Sequence, residues 1–253
     1  MTSSIFFRRP GYRLGALRIQ NFAPGPLLPC CSRIVIQILL RIIMADTANV
    51  LVLEHPILPV LAQRRSPRAY DATQLVPAEV MHQVFAAASA AASCFGEQPW
   101  RYLVGSRAEQ PAAYDKILNS LGEFNQVWAN KAPVLTVSIA KLNFSHDDNP
   151  NAWARYDVGQ ATANLAIQAA ELGLQIHQMA GFSPDKIRES FGIPAGYEPV
   201  AVFTLGYPGD PAELPDALRD KEIAVRARKP LAEFVFEGGW PTLVDERYDA
   251  AAV

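Results

Sequence analysis

The sequence predicts an α+β domain built on a small central sheet. Helical and strand-like patterns alternate along the chain, but not as the regular strand–helix–strand units of a parallel sheet. Three stretches carry this prediction: a long helix over residues 156–172 and apolar strands over residues 133–140 and 199–207. With 253 residues, half of them hydrophobic, the chain can bury a substantial core.

In the first half of the chain, predicted helices flank two predicted strands. Val76-Pro77-Ala78-Glu79 begins a helix, because proline is favoured at an early helical position. Residues 133–140 are apolar, β-branched and bounded by proline, which predicts a buried strand. The predicted elements, in order, are a helix over 55–64, the helix from Pro77, a strand over 101–105, a surface helix over 112–121, the buried strand and a polar loop over 141–151.

The helix over residues 156–172 is the clearest element of the second half. Its apolar residues recur every 3.6 positions and Gly173 ends it, while much of its remaining surface is Ala and Gly. A helix that is small and apolar nearly all round is usually buried on several sides, which favours contact with a second subunit. A strand over 174–178, a helix capped by Ser183, the strand over 199–207 and a Pro-rich extended tail follow.

Residues 1–45 differ from the rest in charge. They hold six arginines and no acid or lysine, so the remaining residues keep 17 of the 23 basic side chains against all 25 acidic ones. Three interpretations stay open: an organelle transit peptide, a signal-peptide core over residues 34–44 that is too short to span a bilayer, or a translation start placed upstream of Met44. Under each, residues 1–45 are a peripheral extension and residues 46–253 form the domain.

Composition also restricts partners and compartment. An acidic body is a poor match for nucleic-acid phosphates, so we expect no nucleic-acid partner, and no segment predicts a membrane span. The cysteines Cys30, Cys31 and Cys94 cannot form a disulfide framework or a cysteine-rich zinc site. This usage fits a reducing, cytoplasmic compartment, with Cys94 as a small packing residue.

Several catalytic signatures are absent from the sequence. It has no G-x-G-x-x-G after a strand, no Walker loop, no G-x-S-x-G and no H-E-x-x-H. The histidines His55, His82, His146 and His177 lack metal-ligand spacing. We expect the first three to be exposed on helices or a loop and His177 to occupy a strand. The sequence therefore predicts no metal site and no catalytic side chain.

Three stretches are more specific, and each has a plainer alternative. Arg64-Arg65-Ser66-Pro67-Arg68 concentrates guanidinium forks that match phosphate oxygens, although a solvated basic helix end would look alike. Residues 91–101 contain the end of a helix of small residues, followed by Gly96, so backbone N–H and C=O groups could approach a flat ligand closely. The plainer alternative is a tight helix-to-strand turn with Trp100 in the core. Residues 173–182 contain a Gly turn that presents backbone amides, or they simply connect a strand to a helix.

In this order, the three stretches resemble the nitroreductase family of flavoproteins. The resemblance runs from about Pro59 to Phe236, through RRSPRAYD, ASCFGEQPWRYLV, APVLTVSIA, YDVGQATANLAIQAAELGLQIHQMAGF, FGIP, VFTLGYPG and RARKPL. It implies a three-layer α/β/α domain with a small, mostly antiparallel sheet, forming an intertwined homodimer that binds FMN between subunits.

The resemblance also assigns residues. Arg64, Arg65, Ser66 and Arg68 would hold the FMN phosphate and ribityl chain and reach the pyrimidine edge. The backbone of Ala180 and Gly181 would lie near the flavin N5, and Arg226 and Arg228 would close on the phosphate. The loop containing Ser93, Gly96 and Gln98 would pack against the isoalloxazine, usually from the other subunit. Gly96 departs from the family's Asn at that position, which bears on redox tuning and acceptor choice.

The function implied is hydride transfer from NAD(P)H through FMN to an electron-poor small molecule, such as a nitroaromatic or quinone, by a ping-pong mechanism. Because hydride chemistry belongs to the cofactor, no general base or nucleophile need stand out. Two alternatives keep the flavin. One is a different reaction on the same fold, such as flavin or enone reduction, dehalogenation or flavin fragmentation, and the other is flavin binding without turnover.

Overall fold

A four-stranded antiparallel sheet is the centre of the structure, a computed structural model that describes residues 50–240. The strands lie in the order β1-β2-β4-β3, with a register shift between Ser138 and Ile139 where β2 pairs with β4. Their bounds are β1 Trp100–Ser106, β2 Val134–Lys141, β3 Gln175–Met179 and β4 Tyr197–Gly206. The predicted extension over residues 1–45 lies outside the described residues.

Seven α-helices surround this sheet within residues 50–240. A tight 3₁₀ turn, Cys94–Gly96, separates the second helix from β1. The helices are α1 Pro59–Gln63, α2 Ala78–Ala88, α3 Pro111–Ser120, α4 Glu123–Ala129, α5 Ala154–Glu171, α6 Pro184–Phe191 and α7 Asp216–Ile223.

Each face of the sheet packs against its own helices. Along β2, Leu135 and Val137 belong to a core shared with α3, α4, α6 and α7, whereas Val134 and Ala140 belong to a core shared with α2 and α5. This alternation follows from the two-residue period of a strand, and with both faces covered nearly every β2 residue is buried. The predicted three-layer α/β/α arrangement and the antiparallel sheet are therefore confirmed.

Most predicted elements are present within a few residues of their expected bounds. The first helix is shorter than predicted because Pro56 and Pro59 disfavour helical backbone in the residues before them, and it begins only at Pro59. His55 therefore lies in a loop rather than on a helix. The Ser183 cap is confirmed, since its hydroxyl accepts a hydrogen bond from the Lys186 N–H.

Two helices depart from the sequence prediction. The region after β4 is not simply an extended tail, because α7 forms there and contributes Leu218 to the core that also contains residues of α3. Helix α4 was not predicted, and it buries Trp128 while leaving Phe124 exposed. Within the described residues, no helix is both long and apolar enough to cross a membrane.

Helix α5 is buried along one side only within this chain. Val158, Leu165 and Ala169 are inaccessible, whereas Tyr156 and Ala163 are exposed on the other side. A Cβ atom added at Gly159 would meet nothing within 4 Å. The prediction that a second subunit covers this outer side stays a prediction.

Candidate functional site

The arginine-rich segment over residues 64–68 is held between β3 and α7. The Arg65 backbone N–H donates to the Gln175 side-chain oxygen on β3, 3.0 Å away. The Arg65 guanidinium pairs with Oε1 of Glu222 on α7, and the Arg68 N–H donates to Oε2 of the same carboxylate over 2.7 Å. Segments more than 150 residues apart in sequence thus meet at one buried carboxylate.

The chain beyond α7 returns over the start of the same segment. The Arg226 guanidinium donates to the backbone carbonyls of Arg64 and Ala62, each at 2.6 Å. Both carbonyls stand at the end of α1, where helix carbonyls lack partners within the helix. Arg226 therefore caps this helix and fixes residues 221–228 beside residues 64–66.

These two segments enclose an open pocket of about 140 Å³. Five cationic side chains reach its wall, against a single carboxylate. The lining residues are Arg64, Arg65, Ser66, Lys221, Glu222, Ala224, Arg226 and Arg228. The structure thus brings together five of the predicted site residues, Arg64, Arg65, Ser66, Arg226 and Arg228, whereas Arg68 does not line this pocket.

Like charges crowd around the pocket. Burial lowers the pKa of Arg64, and the neighbouring Arg228 charge lowers it further. Burial also lowers the pKa of Arg226, with added repulsion from Arg64 and other arginines nearby. Because a guanidinium does not give up its proton in proteins, these side chains stay charged, and an added anion would reduce their mutual repulsion. The pocket is suited to a phosphate or another small polyanion.

Arg68 instead lies over Trp128, whose ring packs at a tilt against His177. The guanidinium carbon of Arg68 is 6.0 Å from the centre of the Trp128 ring. The centres of the His177 and Trp128 rings are 4.6 Å apart. The buried Nε of Arg68 has no hydrogen-bond partner among the described residues. One N–H of this guanidinium is thus still available to a ligand.

His177 supports the segment from β3. Its Nδ1–H donates to the Pro67 carbonyl over 2.9 Å, since a carbonyl can only accept. Burial lowers the pKa of His177 to about 4, and the Arg68 charge acts in the same direction. The ring is therefore neutral at pH 7. It supports the segment through its hydrogen bond and carries no extra proton to transfer to a ligand. His177 lies on a strand and His82 and His146 are exposed, as predicted.

The turn that follows β3 presents backbone amides. The Gly181 carbonyl accepts hydrogen bonds from the Gly122 N–H (3.0 Å) and the Asn125 side chain (3.3 Å), which anchor the turn to α4. The Gly181 N–H donates to no acceptor within residues 50–240, and both Ala180 and Gly181 are exposed. The turn lies outside the arginine pocket, and its amide can serve a ligand.

The loop over residues 93–98 is fastened to α5 instead. The buried Asp157 carboxylate accepts from the Ser93 hydroxyl and the Cys94 N–H, each at 2.9 Å. The Gln98 N–H donates to the Ser93 oxygen over 2.8 Å. Within one chain, Ser93, Gly96 and Gln98 do not line the arginine pocket, so their packing against a ligand of another subunit stays a prediction.

The backbone of this loop is left-handed at three positions. Phe95, Gly96 and Gln98 have φ angles of 52°, 66° and 51°. Glycine adopts this region without steric cost, and Asn is among the residues that tolerate it best. Gly96 can therefore replace the Asn expected from the family resemblance without a change in backbone conformation, and what is lost is the side chain.

Glu97, which the sequence analysis did not single out, ties this loop to the one after β2. Its carboxylate accepts from the Ser145 hydroxyl (2.6 Å), the Ser145 N–H (2.8 Å) and the Lys141 ammonium (3.0 Å). The hydrogen bonds from Ser145, aided by Lys141, lower the pKa of Glu97 to about 2. In the described part of the chain, no group of three metal-ligating side chains could hold a metal ion.

Comparison with known proteins identifies the family. A model described as "Nitroreductase family" matches residues 61–207, more than half of the chain. The chain therefore belongs to the nitroreductase family, and the resemblance seen in the sequence is confirmed. It is an oxidoreductase family.

Two relatives are similar to this chain over much of their own length. The "Uncharacterized 15.4 kDa protein in ask 5'region" of Mycolicibacterium smegmatis is 32% identical over 145 residues, 55% of this chain and 97% of that protein. The "Major NAD(P)H-flavin oxidoreductase" of Aliivibrio fischeri is 24% identical over 192 residues, covering 60% and 88%.

Solved structures share the fold. One described as "oxidoreductase containing FMN" is 34% identical with a TM-score of 0.71, and the match covers 75% of this chain and 96% of that one. A nitroreductase family protein from Clostridium difficile 630 is 24% identical with a TM-score of 0.57, covering 74% and 100%, which shows the fold alone.

Proposed function

We propose that this chain is an FMN-dependent oxidoreductase that takes hydride from NAD(P)H and delivers it to an electron-poor small molecule, such as a nitroaromatic or quinone. The observation that carries the proposal is the cationic pocket where residues 64–66 meet residues 221–228. The relative described as containing FMN, 34% identical over three quarters of the chain, supports it.

The residues present fit this cofactor. Guanidiniums from Arg64, Arg226 and Arg228 crowd one pocket, and the phosphate of FMN would offset their repulsion. The Gly181 N–H is exposed and without an acceptor in residues 50–240, which suits a ring nitrogen. The buried Nε of Arg68 offers one more donor, to the ribityl chain or the pyrimidine edge.

FMN, when bound, supplies the acceptance and donation of hydride, and the protein supplies binding, orientation and electrostatics. Arg64, Arg65 and Ser66 would hold the phosphate end, with Arg226 and Arg228 closing over it. The turn at Ala180 and Gly181 would aim an amide at N5, where a donor stabilises developing negative charge. Ser93, Gly96 and Gln98 would frame the ring from the partner subunit.

The kinetic scheme we propose is ping-pong, with the nicotinamide and the acceptor occupying one site in turn. Anaerobic titration of the purified full-length protein with NADH and with NADPH, followed in the visible spectrum, tests the first half. Bleaching of a yellow protein by either nicotinamide is expected. A colourless protein that takes up no FMN would remove the proposal, and a yellow protein that neither nicotinamide bleaches would leave a flavin-binding protein without turnover.

Free flavin reduction is the second candidate, favoured by the similarity to the Aliivibrio fischeri flavin oxidoreductase. An acceptor panel of free flavin, quinone and nitroaromatic, run under nitrogen and under air, separates the two candidates. Rates with free flavin at least tenfold above those with the other acceptors would favour the second.

The double variant Arg64→Ala/Arg68→Ala tests the cofactor site directly. We expect a folded but colourless protein, because one guanidinium of the pocket and the buried donor beside it are lost together. Arg219→Ala is the matched control, since this arginine lies on α7, pairs with Asp216 and does not line the pocket. A full flavin complement in the folded double variant would contradict the assignment.

We further propose a homodimer in the cytoplasm. The outer side of α5 carries the exposed Tyr156 and Ala163 and an unobstructed Gly159, which form a small, largely uncharged surface. Cys94 is a free thiol, as expected in a reducing compartment. Light scattering should give twice the chain mass of 27.7 kDa. Gly159→Arg starts from a position where a Cβ meets nothing within 4 Å and should yield monomers, whereas dimers of that variant would place the interface elsewhere.

A further inference from the structure

The buried carboxylate of Glu222 has no role in the chemistry proposed above, yet it contacts the arginine segment twice. One oxygen pairs with the Arg65 guanidinium, and the other accepts the Arg68 N–H over 2.7 Å. The Glu222 side chain is 1% exposed and that of Arg65 is 10% exposed. Both residues line the cationic pocket. Glu222 therefore joins α7 to the segment that forms the opposite wall.

Stability alone is a weak reason for such a pair, because burying two charges costs about as much as their attraction returns. Its place in the pocket also carries an apparent penalty, since a negative charge among cations repels an incoming anion. What compensates for this penalty is that the carboxylate holds its neighbours in one conformation. A guanidinium fixed by a carboxylate presents its remaining edge in one orientation, and a fixed donor loses less freedom when a ligand binds.

We propose that Glu222 is a positioning residue for the phosphate end of the ligand: it fixes the Arg65 guanidinium and the backbone at Arg68, so that residues 64–68 are already arranged before the ligand enters. This inference rests on the proposed FMN site. It assigns to α7 a part in ligand affinity although Glu222 itself, as an anion, does not bind the phosphate.

Two variants separate positioning from charge. Glu222→Asp keeps the negative charge but withdraws the carboxylate by one methylene. Glu222→Gln keeps the size, removes the charge and leaves one oxygen to accept where two are needed. Simple electrostatics predicts no change for the first and tighter anion binding for the second. Positioning predicts weaker binding for both.

The readout is the dissociation constant of the full-length protein for FMN and for riboflavin. These ligands differ only in the phosphate, so the ratio of the two constants isolates the phosphate contribution. We expect both variants to bind FMN about tenfold more weakly, the size of one lost charge-assisted hydrogen bond, with riboflavin changed less than twofold. Asp220→Asn, an exposed charge on the same helix, should change neither constant.

A double-mutant cycle with Arg65→Gln tests whether Glu222 acts through its partner. In the Arg65→Gln background, Glu222→Gln should have a smaller effect on the ratio, because the guanidinium is already gone and only the contact with the Arg68 N–H remains to be lost. An undiminished effect in that background would show that Glu222 acts independently of Arg65 and would overturn the proposal.

Other outcomes bear on the proposal in distinct ways. Wild-type constants in a folded Glu222→Asp variant, or tighter FMN binding by Glu222→Gln, would overturn it while leaving FMN binding intact. If both variants fail to fold beside a stable wild type, Glu222 serves the fold and positioning is likewise rejected. A wild-type protein that binds neither flavin would instead defeat the proposed function.

Discussion

Lowering the pH from 7 to 5 should lower the free energy of unfolding through His177, which is neutral in its partly buried place between Trp128 and the Pro67 carbonyl. In the unfolded chain its ring regains an ordinary pKa of about 6.5. Burial lowers that pKa to about 4 in the folded state. Between these values the unfolded state binds more protons, so stability falls as the pH falls.

The size of the effect follows from the two pKa values. Each unit of separation corresponds to about 1.4 kcal/mol, and at pH 7 almost none of the penalty is felt. At pH 5 the unfolded ring is nearly fully protonated while the folded ring is still mostly neutral. The free energy of unfolding should therefore drop by about 2 kcal/mol between pH 7 and pH 5, and by about 3 kcal/mol in total below pH 4.

Urea unfolding at the two pH values, followed by tryptophan fluorescence, measures this drop. His177→Phe is the control because it keeps a ring beside Trp128 but cannot take up a proton. Losing the hydrogen bond to Pro67 lowers the stability of the variant by a similar amount at both pH values. Its stability should therefore depend less on pH than that of the wild type. Equal losses in both proteins would refute the assignment of the acid sensitivity to His177.

Three further predictions concern packing and loops. Gly105→Ala would place a methyl group 2.6 Å from the Tyr114 backbone, so β1 and α3 must separate. Thermal unfolding should show that the free energy of unfolding falls by about 1–3 kcal/mol, and an unchanged midpoint would contradict this prediction. Ile117→Ala leaves a cavity in a fully buried site and should cost about 2–5 kcal/mol in urea unfolding, more than any exposed Ala substitution. Glu97→Gln should increase limited proteolysis within the loop after β2 and change the free energy of global unfolding by no more than about 0.5 kcal/mol. A loop that resists the protease as well as in the wild type would argue that the carboxylate does not hold it in place.

The sequence predicts those elements whose pattern is dictated by burial. Helix α5 and strand β2 carry apolar residues at the period of their own structure, so both were located to within about two residues. Helix α7 was missed because its charged residues give a weak pattern and prolines precede it. It folds as a helix because Leu218 and Glu222 find partners in distant parts of the chain, which no local pattern reveals.

The same reasoning applies to the site. Arg64 and Ser66 could be singled out because guanidiniums concentrated in a short segment indicate an anion site from sequence alone. Glu222 could not, because a single glutamate on a charged helix is normally solvated, and its burial depends on Arg65 being opposite. Glu97 was missed for the same reason, since its partners Lys141 and Ser145 lie more than 40 residues away.

The pairing of Arg65 with Glu222 joins residues 157 positions apart in the chain. During synthesis at about 5–20 residues per second, residue 65 leaves the ribosome many seconds before residue 222 does. The central sheet can assemble in that interval, since its last strand ends at Gly206. The cationic pocket cannot, because its second wall follows the sheet in the chain, so it is the last of these features to form in a nascent chain.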